Sequence, residues 1–219
     1  MKLFATAAAL AALVGTAALA DNNELFVTQS GNNNVIGNAD QPATQIGTQN
    51  DATFVQSGND NSIGDVGPNV ANMGQRGFKH TLEIRQSGNR NKTIRYTQTG
   101  EKNDMSIRQT GNDNQLQLVM QRGENNDADV VQSGNDNRGF AVQVGKSNVL
   151  DVVQGGHRND FDINSGDFGP SNGCISCDVV LRQPGNDNYA NVLQSGTNQM
   201  ANISQSGLNN TVYSSQSAN

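Results

Sequence analysis

Tryptophan is absent from this 219-residue chain, aromatic residues make up 5% of it and hydrophobic residues 34%. With a mean hydropathy of −0.60, such a sequence lacks the material for an ordinary compact core. Composition alone would place it with disordered polypeptides. Basic residues are outnumbered, 14 against 20 acidic ones, for a net charge of −6. That balance argues against nucleic acid as a partner. Histidine occurs only at His80 and His157, without zinc-finger spacing. No Gly-x-Ser-x-Gly elbow, phosphate loop or His-Glu-x-x-His is present, so the expectation is a protein that is not an enzyme, with no cofactor and no metal.

Long apolar runs are missing except at the start. Met1-Lys2, the Ala/Leu-rich run from Leu3 to Leu19 and Ala18-Leu19-Ala20 together read as a signal peptide over 1–20, cleaved between Ala20 and Asp21. A membrane anchor would need a stretch of roughly 20 strongly apolar residues. The removed segment contains one cation, Lys2, which leaves the mature chain at 13 cations against 20 carboxylates, a charge of −7.

What the chain has in abundance is a repeat. Gln-x-Gly begins at Gln29, Gln45, Gln56, Gln75, Gln86, Gln98, Gln109, Gln121, Gln132, Gln143, Gln154, Gln183, Gln194 and Gln205. Five positions later stand Asn34, Asn50, Asn61, Asn91, Asn103, Asn114, Asn126, Asn137, Asn148, Asn159, Asn188 and Asn210, with His80 and Gln199 as exceptions. From Gln75 to Gln154 the spacing is 11 or 12 residues. Two weaker copies, Asn164-Ser165-Gly166 and Gln216-Ser217-Ala218, bring the total to sixteen units.

Within a unit, apolar and polar residues alternate, the period of an extended strand. Positions seven and nine after the Gln are Leu82 and Ile84, Met105 and Ile107, Leu116 and Leu118, Leu150 and Val152, Phe161 and Ile163, Ala201 and Ile203, which makes these the expected interior. Between strands, Gly-Asn-Asp-Asn, Gly-Asn-Arg-Asn and Gly-Glu-Lys-Asn supply residues that tolerate positive φ. The fold class implied is all-β. Two units form one coil of 22–23 residues, and about eight such coils stack as a β-solenoid over 21–219, roughly 38 Å long at about 4.8 Å per coil. Stacking also explains the polar repeat: identical buried amides at that spacing hydrogen-bond to each other as ladders instead of standing unpaired.

Departures from the spacing mark loops, expected near 62–74 and 165–178 at corners of the column, where Gly67-Pro68 and Gly169-Pro170 cannot continue a strand. A shorter excess lies between Gln29 and Gln45, near Pro42. The only cysteines, Cys174 and Cys177, fall in the second loop, where an exported chain points to a local disulfide. A metal would need further ligands. Calcium is disfavoured because the turn position that would supply its carboxylate is also Arg90, Lys102 and Arg158. Asp127, Asp129, Asp160, Asp162, Lys92 and Arg108 read instead as a solvated face that discourages premature strand pairing.

The unit resembles the curlin repeat of bacterial curli fibre subunits, Gln-x-Gly-x-x-Asn-x-Ala-x-x-x-Gln, matched in full by QIGTQNDATFVQ from Gln45, QRGENNDADVVQ from Gln121 and QPGNDNYANVLQ from Gln183. That resemblance implies a subunit, of major or minor nucleator type, secreted through outer-membrane curli machinery of a Gram-negative cell. It implies an extracellular amyloid fibre acting in cell adhesion and the biofilm matrix, whose partners are other copies of itself and a companion curlin. Neither nucleic acid nor stable membrane insertion is expected. The competing expectations are a secreted β-solenoid that binds a ligand without polymerising, and a disordered tract.

Overall fold

The structure, a computed structural model, describes residues 22–37, 42–64, 73–166 and 173–217. The expected signal segment 1–20 and the Ala20–Asp21 cleavage point lie outside the described residues, as do 65–72 and 167–172 of the two expected loops. Among the described residues every regular element is a strand.

The strands form two parallel sheets that the chain visits alternately. The first contains Glu24–Asn32, Asp51–Asn59, Thr81–Asn89, Asp104–Asn112, Asp127–Asn135, Val149–Gln154, Asp178–Gln183 and Met200–Ser204, stacked in that order. Opposite lies the second, whose coils contribute Val35–Ile36 with Thr44–Thr48, Ser62–Ile63 with Gly74–Phe78, Lys92–Thr93 with Tyr96–Glu101, then Gln115–Glu124, Arg138–Lys146, Asp160–Ser165 with Cys174–Ile175, Tyr189–Ser195 and Thr211–Ser217. Like residues face like in register: Gln29 opposite Gln56, Gln56 opposite Gln86, Gln86 opposite Gln109 and Gln109 opposite Gln132. The protein is a β-solenoid of eight coils.

Alternation along each strand sends one set of side chains into the narrow space between the sheets. Leu82, Ile84, Met105, Ile107, Val130, Leu150, Val152, Val179 and Leu181 from the first sheet meet Ile63, Leu116, Val119, Ala141, Phe161, Ile163, Ala190 and Val192 from the second in one continuous core. Burying an aliphatic side chain of this size contributes about 1.5–3 kcal/mol, so a two-residue contribution per strand suffices when repeated along the stack. Large residues are matched to gaps in the neighbouring rung. A Cβ on Gly139 would lie 2.2 Å from the ring of Phe161; the smallest residue of one coil makes room for the aromatic of the next. Phe54 and Tyr96 pack with ring centroids 5.6 Å apart, and burial raises the Tyr96 hydroxyl pKa above the ordinary range.

Three expectations from the spacing need correction. Leu118 is buried, but not in the main core with Leu116: the twelve-residue spacing of Gln109 and Gln121 places one extra residue in the strand, with a register shift between Leu116 and Leu118. This bulge sets Leu118 in a second buried cluster with Val142 and Val144, and Val119 takes the position in the main core. The weak copy was also phased one residue early. Ser165, not Asn164, stands opposite Gln143 and Gln194, which restores eleven residues from Gln154; glycine at 166 suggested the other phase.

The third correction concerns where the loops leave. Ser62–Ile63 and Gly74–Phe78 remain strands, as does Cys174–Ile175, so the insertions are shorter than the expected 62–74 and 165–178. The first two interruptions, after Ile36 and after Ile63, break the second-sheet strand midway instead of leaving from corners. Only the third, between Ser165 and Cys174, sits at a corner. A strand can be cut midway here because both pieces still pair with continuous neighbours, as Lys92–Thr93 and Tyr96–Glu101 both pair with Gln115–Glu124.

Candidate functional site

The repeated side chains converge on the corners, where each sheet hands the chain to the other. Along the first corner, Gln29, Gln56, Gln86, Gln109, Gln132, Gln154, Gln183 and Gln205 form an unbroken ladder. Each Nε2 donates to the Oε1 of the next coil at 2.7–3.0 Å. From Gln56 to Gln205 these side chains are buried. Along the second corner Gln45, Gln75, Gln98, Gln121 and Gln143 do the same. Ser165 then occupies the rung and donates its Oγ to Gln194 Oε1 at 3.2 Å, after which Gln194 donates to Gln216.

The asparagines run in the opposite sense. Asn61, Asn91, Asn114 and Asn137 each donate, from both the backbone N–H and Nδ2, to the Oδ1 of the asparagine one coil earlier, beginning at Asn34. Asn159, Asn188 and Asn210 continue the column through their backbone N–H groups. On the other corner Asn50 accepts from the N–H of His80, and Asn103, Asn126 and Asn148 follow. Most of these Nδ2 groups also reach forward to a glycine carbonyl, as Asn114 does to Gly134 at 2.9 Å. An asparagine therefore ties its own turn to the coils on both sides, which a residue without an amide cannot do.

Glycine in this corner is demanded by the stacking itself. Gly111 has φ +101°, and an added Cβ would lie 2.0 Å from the Gly134 carbonyl oxygen. Two residues later comes a second left-handed position, occupied by Asp60, Arg90, Lys102, Asp113, Asn125, Asp136, Ser147, Arg158 and Asp187 with φ between 52° and 59°. Its side chain varies freely but its backbone does not, which limits how far this position can be called unconstrained.

A further ladder escaped the sequence reading. Asn59, Asn89, Asn112 and Asn135, three residues after their glutamines, chain together at 3.0–3.2 Å along the exposed first corner, and Asn135 continues to His157. The signal lay in a comparison of alternate units: this Asn follows Gln-x-Gly only at the first corner, while Thr48, Phe78, Glu101, Glu124 and Lys146 hold the equivalent place at the second. Averaging all units together hides a period of two.

Two rungs of the second corner depart from amide chemistry. His80 stands in the asparagine column; its Nδ1 accepts the Asn103 N–H at 3.3 Å and its Nε2 lies 3.1 Å from the Arg76 carbonyl. Burial lowers its pKa below the usual imidazole value, against smaller opposing effects of the Arg76 and Gly100 backbone bonds and of Glu101. Cys177 occupies the next exceptional rung, its N–H donating to Asn148 Oδ1, while Cys174 lies opposite Gly145 in the glycine column. The two are joined as a disulfide with Cα atoms 5.7 Å apart. A covalent link thus spans the glycine and asparagine positions of a turn that has neither residue.

On the outer face of the first sheet carboxylates stack over carboxylates: Asp104 opposite Asp127 and Asp129 opposite Asp151. Burial first, then the Asp127 charge, raises the Asp104 pKa; burial, then Asp129 and Asp151, raises that of Asp127. Asp160 and Asp162 on the second sheet are raised mainly by burial. At the first corner the balance reverses. A hydrogen bond from Arg90 lowers the Asp113 pKa, and Arg158 acts likewise on Asp187. Among the described residues no group of three or more His, Cys, Asp or Glu is placed to hold a metal ion, and no helix is long and apolar enough to cross a membrane.

Among the described residues each sheet ends in strands paired along one edge only: Glu24–Asn32 and Met200–Ser204 in the first, Thr211–Ser217 at the far end of the second. Because every glutamine donates toward the higher-numbered coil, the ladders have a direction. The ladders begin in the first coil at Gln29 and Gln45 and end in the last at Gln205 and Gln216, whose amide groups turn to the backbone carbonyls of Tyr189, Asn210 and Met200.

A family model described as the curlin associated repeat matches residues 123–165. The match falls on coils that run without insertion and stops at Ser165, where the chain leaves the column. No curated protein and no solved structure matches the chain.

Proposed function

We propose that this curlin-repeat chain is a structural subunit of an extracellular curli-type fibre, acting in adhesion and biofilm matrix by stacking coil on coil, and that it performs no catalysis. The observation that carries the reading is that, among the described residues, the column ends in directional, one-sided strands. A monomeric solenoid normally covers its terminal coils; here Val27 at the first coil is 38% exposed, whereas its equivalents Phe54, Ile84 and Ile107 are buried. Placing Ala201, Ile203 and Gln205 of one copy over Leu25, Val27 and Gln29 of the next would continue both the core and the ladder in the register seen between every internal pair. The partners in this reading are further copies of the chain, a companion curlin and the outer-membrane secretion machinery that exports it.

Purified chain beginning at Asp21 is expected to form detergent-resistant fibres with a meridional reflection at about 4.7–4.8 Å. It should also join or seed fibres of a companion curlin from the same source. A folded monomer that persists for days at high concentration would overturn the reading.

A further inference from the structure

A groove on the outer face of the second sheet departs from the acidic character of the rest of the chain. It measures about 280 Å³ and is lined by Arg76, Arg95 and Arg122, with no carboxylate among its walls. Its shape follows from two local irregularities. In the third coil the strand breaks at Ile94–Arg95, between Lys92–Thr93 and Tyr96–Glu101. Tyr96 then turns into the core, and Arg95 lies in the outer groove. In the second coil Gly74 stands between Thr44 and Thr97 in the stacked column, so the rung that would close the groove carries no side chain.

Register fixes the remaining cations. Arg76 and Arg122 both lie opposite Thr99, one coil to either side, which puts them two rungs or about 9.6 Å apart along the column. Among the described residues none of the three arginines takes part in an ion pair, although five other ion pairs form on the surface. Arg95 Nε is buried without any hydrogen-bond partner. A buried guanidinium N–H left unsatisfied is unfavourable, and a ligand oxygen would relieve it.

We infer that this groove binds an acidic polysaccharide, with carboxylate groups of the polymer on Arg76 and Arg122 and an oxygen reaching Arg95 Nε. The guanidinium fork suits a carboxylate in bidentate geometry. The hydroxyl of Thr99 lies between the two outer arginines, and Met73, Met120 and Ile46 offer apolar wall for the C–H faces of sugar rings. A nucleic acid fits less well. The groove has no aromatic side chain on which a base could stack. The inference is independent of fibre formation, since the three arginines lie on the outer side of coils two to four and not on the end face of the column.

The test titrates a fluorescent polyuronate with purified full chain, alongside neutral dextran and a DNA duplex of matched charge. The native chain is expected to bind the polyuronate, and the exposed-site variant Arg76→Ala/Arg122→Ala to bind it roughly tenfold more weakly or worse. Arg85→Ala/Arg108→Ala, which removes the same charge from the first sheet, should leave binding unchanged. Arg95→Gln, which keeps a donor but removes the cation, should weaken binding while the strand signal by circular dichroism persists. Equal loss in both double variants would mean general charge attraction and overturn the site. DNA binding as tight as polyuronate binding, or no polyuronate binding by native chain, would overturn the glycan assignment.

Discussion

The two sheets are built from the same unit, yet among the described residues the broken strands and the bulge are confined to one of them. Every strand of the first sheet is continuous, and its glutamine ladder runs from Gln29 to Gln205 without a substitution. The second sheet contains all the chain breaks, the bulge at Gln117, the serine in the glutamine column, the histidine in the asparagine column and the disulfide. A parallel stack needs a single uninterrupted face to hold its register, because a one-residue slip would turn every core side chain to solvent. With the first face doing this, the second can accept insertions and altered chemistry. The groove of three arginines, the one proposed ligand site, accordingly lies on the irregular face.

The largest expected effect tests this division directly. Gln109 accepts from Gln86 and Thr93 and donates to Gln132 and the Lys92 carbonyl, all within the buried first corner. Gln109→Ala leaves several of these groups unpaired and should destabilise the column by about 3 kcal/mol. Gln143, which precedes the serine rung, accepts from Gln121 and donates to Asp127 O. Gln143→Ala should cost roughly half as much by denaturant unfolding of the soluble form. Equal costs would show that the two faces share the register evenly.

The disulfide gives the next test. Closing a four-residue loop contributes about 2 kcal/mol in the chain-entropy account, so Cys174→Ser/Cys177→Ser should lose about that much. The variant Cys174→Gly/Cys177→Asn restores the residues that other turns use. Its asparagine can accept and donate in the column of Asn148, and its stability should fall within about 1 kcal/mol of the native chain. If restoring Gly and Asn harms the fold as much as the serine pair does, the disulfide has a role beyond replacing the turn's hydrogen bonds.

Much of this architecture was legible because the repeat states it many times. Recurrence of Gln, Gly and Asn at fixed offsets makes ladders and strands readable even where single strands such as Asp127–Asn135 carry only Ala128 and Val130 as core. What remained hidden depended on the difference between units. The twelve-residue spacing left open which residue was extra, and only packing shows that Val119, not Leu118, joins the main core while Leu118 is buried in a second cluster. The exposed asparagine ladder was obscured because it occupies alternate units. The groove could not be read at all, since Arg76, Arg95 and Arg122 stand at unrelated places in the repeat and meet only when a strand break and a missing side chain open the face between them.

The smallest expected effect concerns His80, the buried imidazole among the amides. His80 must remain neutral at Nδ1 to accept the Asn103 N–H, and burial lowers its pKa. A group whose folded pKa is depressed contributes stability above its unfolded value and loses it as the pH falls through the folded one. Between about pH 7 and pH 5.5 the native chain should therefore lose stability that the His80→Asn variant retains, with His157 common to both. The stacked carboxylates act with opposite sign at lower pH. Asp104 and Asp127 have raised pKa values, so their contribution is fully present below the ordinary carboxylate range and is lost as the pH rises through their folded values. A His80→Asn chain should consequently gain stability on acidification toward the ordinary carboxylate range, while the native chain shows the two opposing trends in succession. Identical pH profiles for the two chains would place His80 outside the load carried by the second corner and make that corner as uniform in its chemistry as the first.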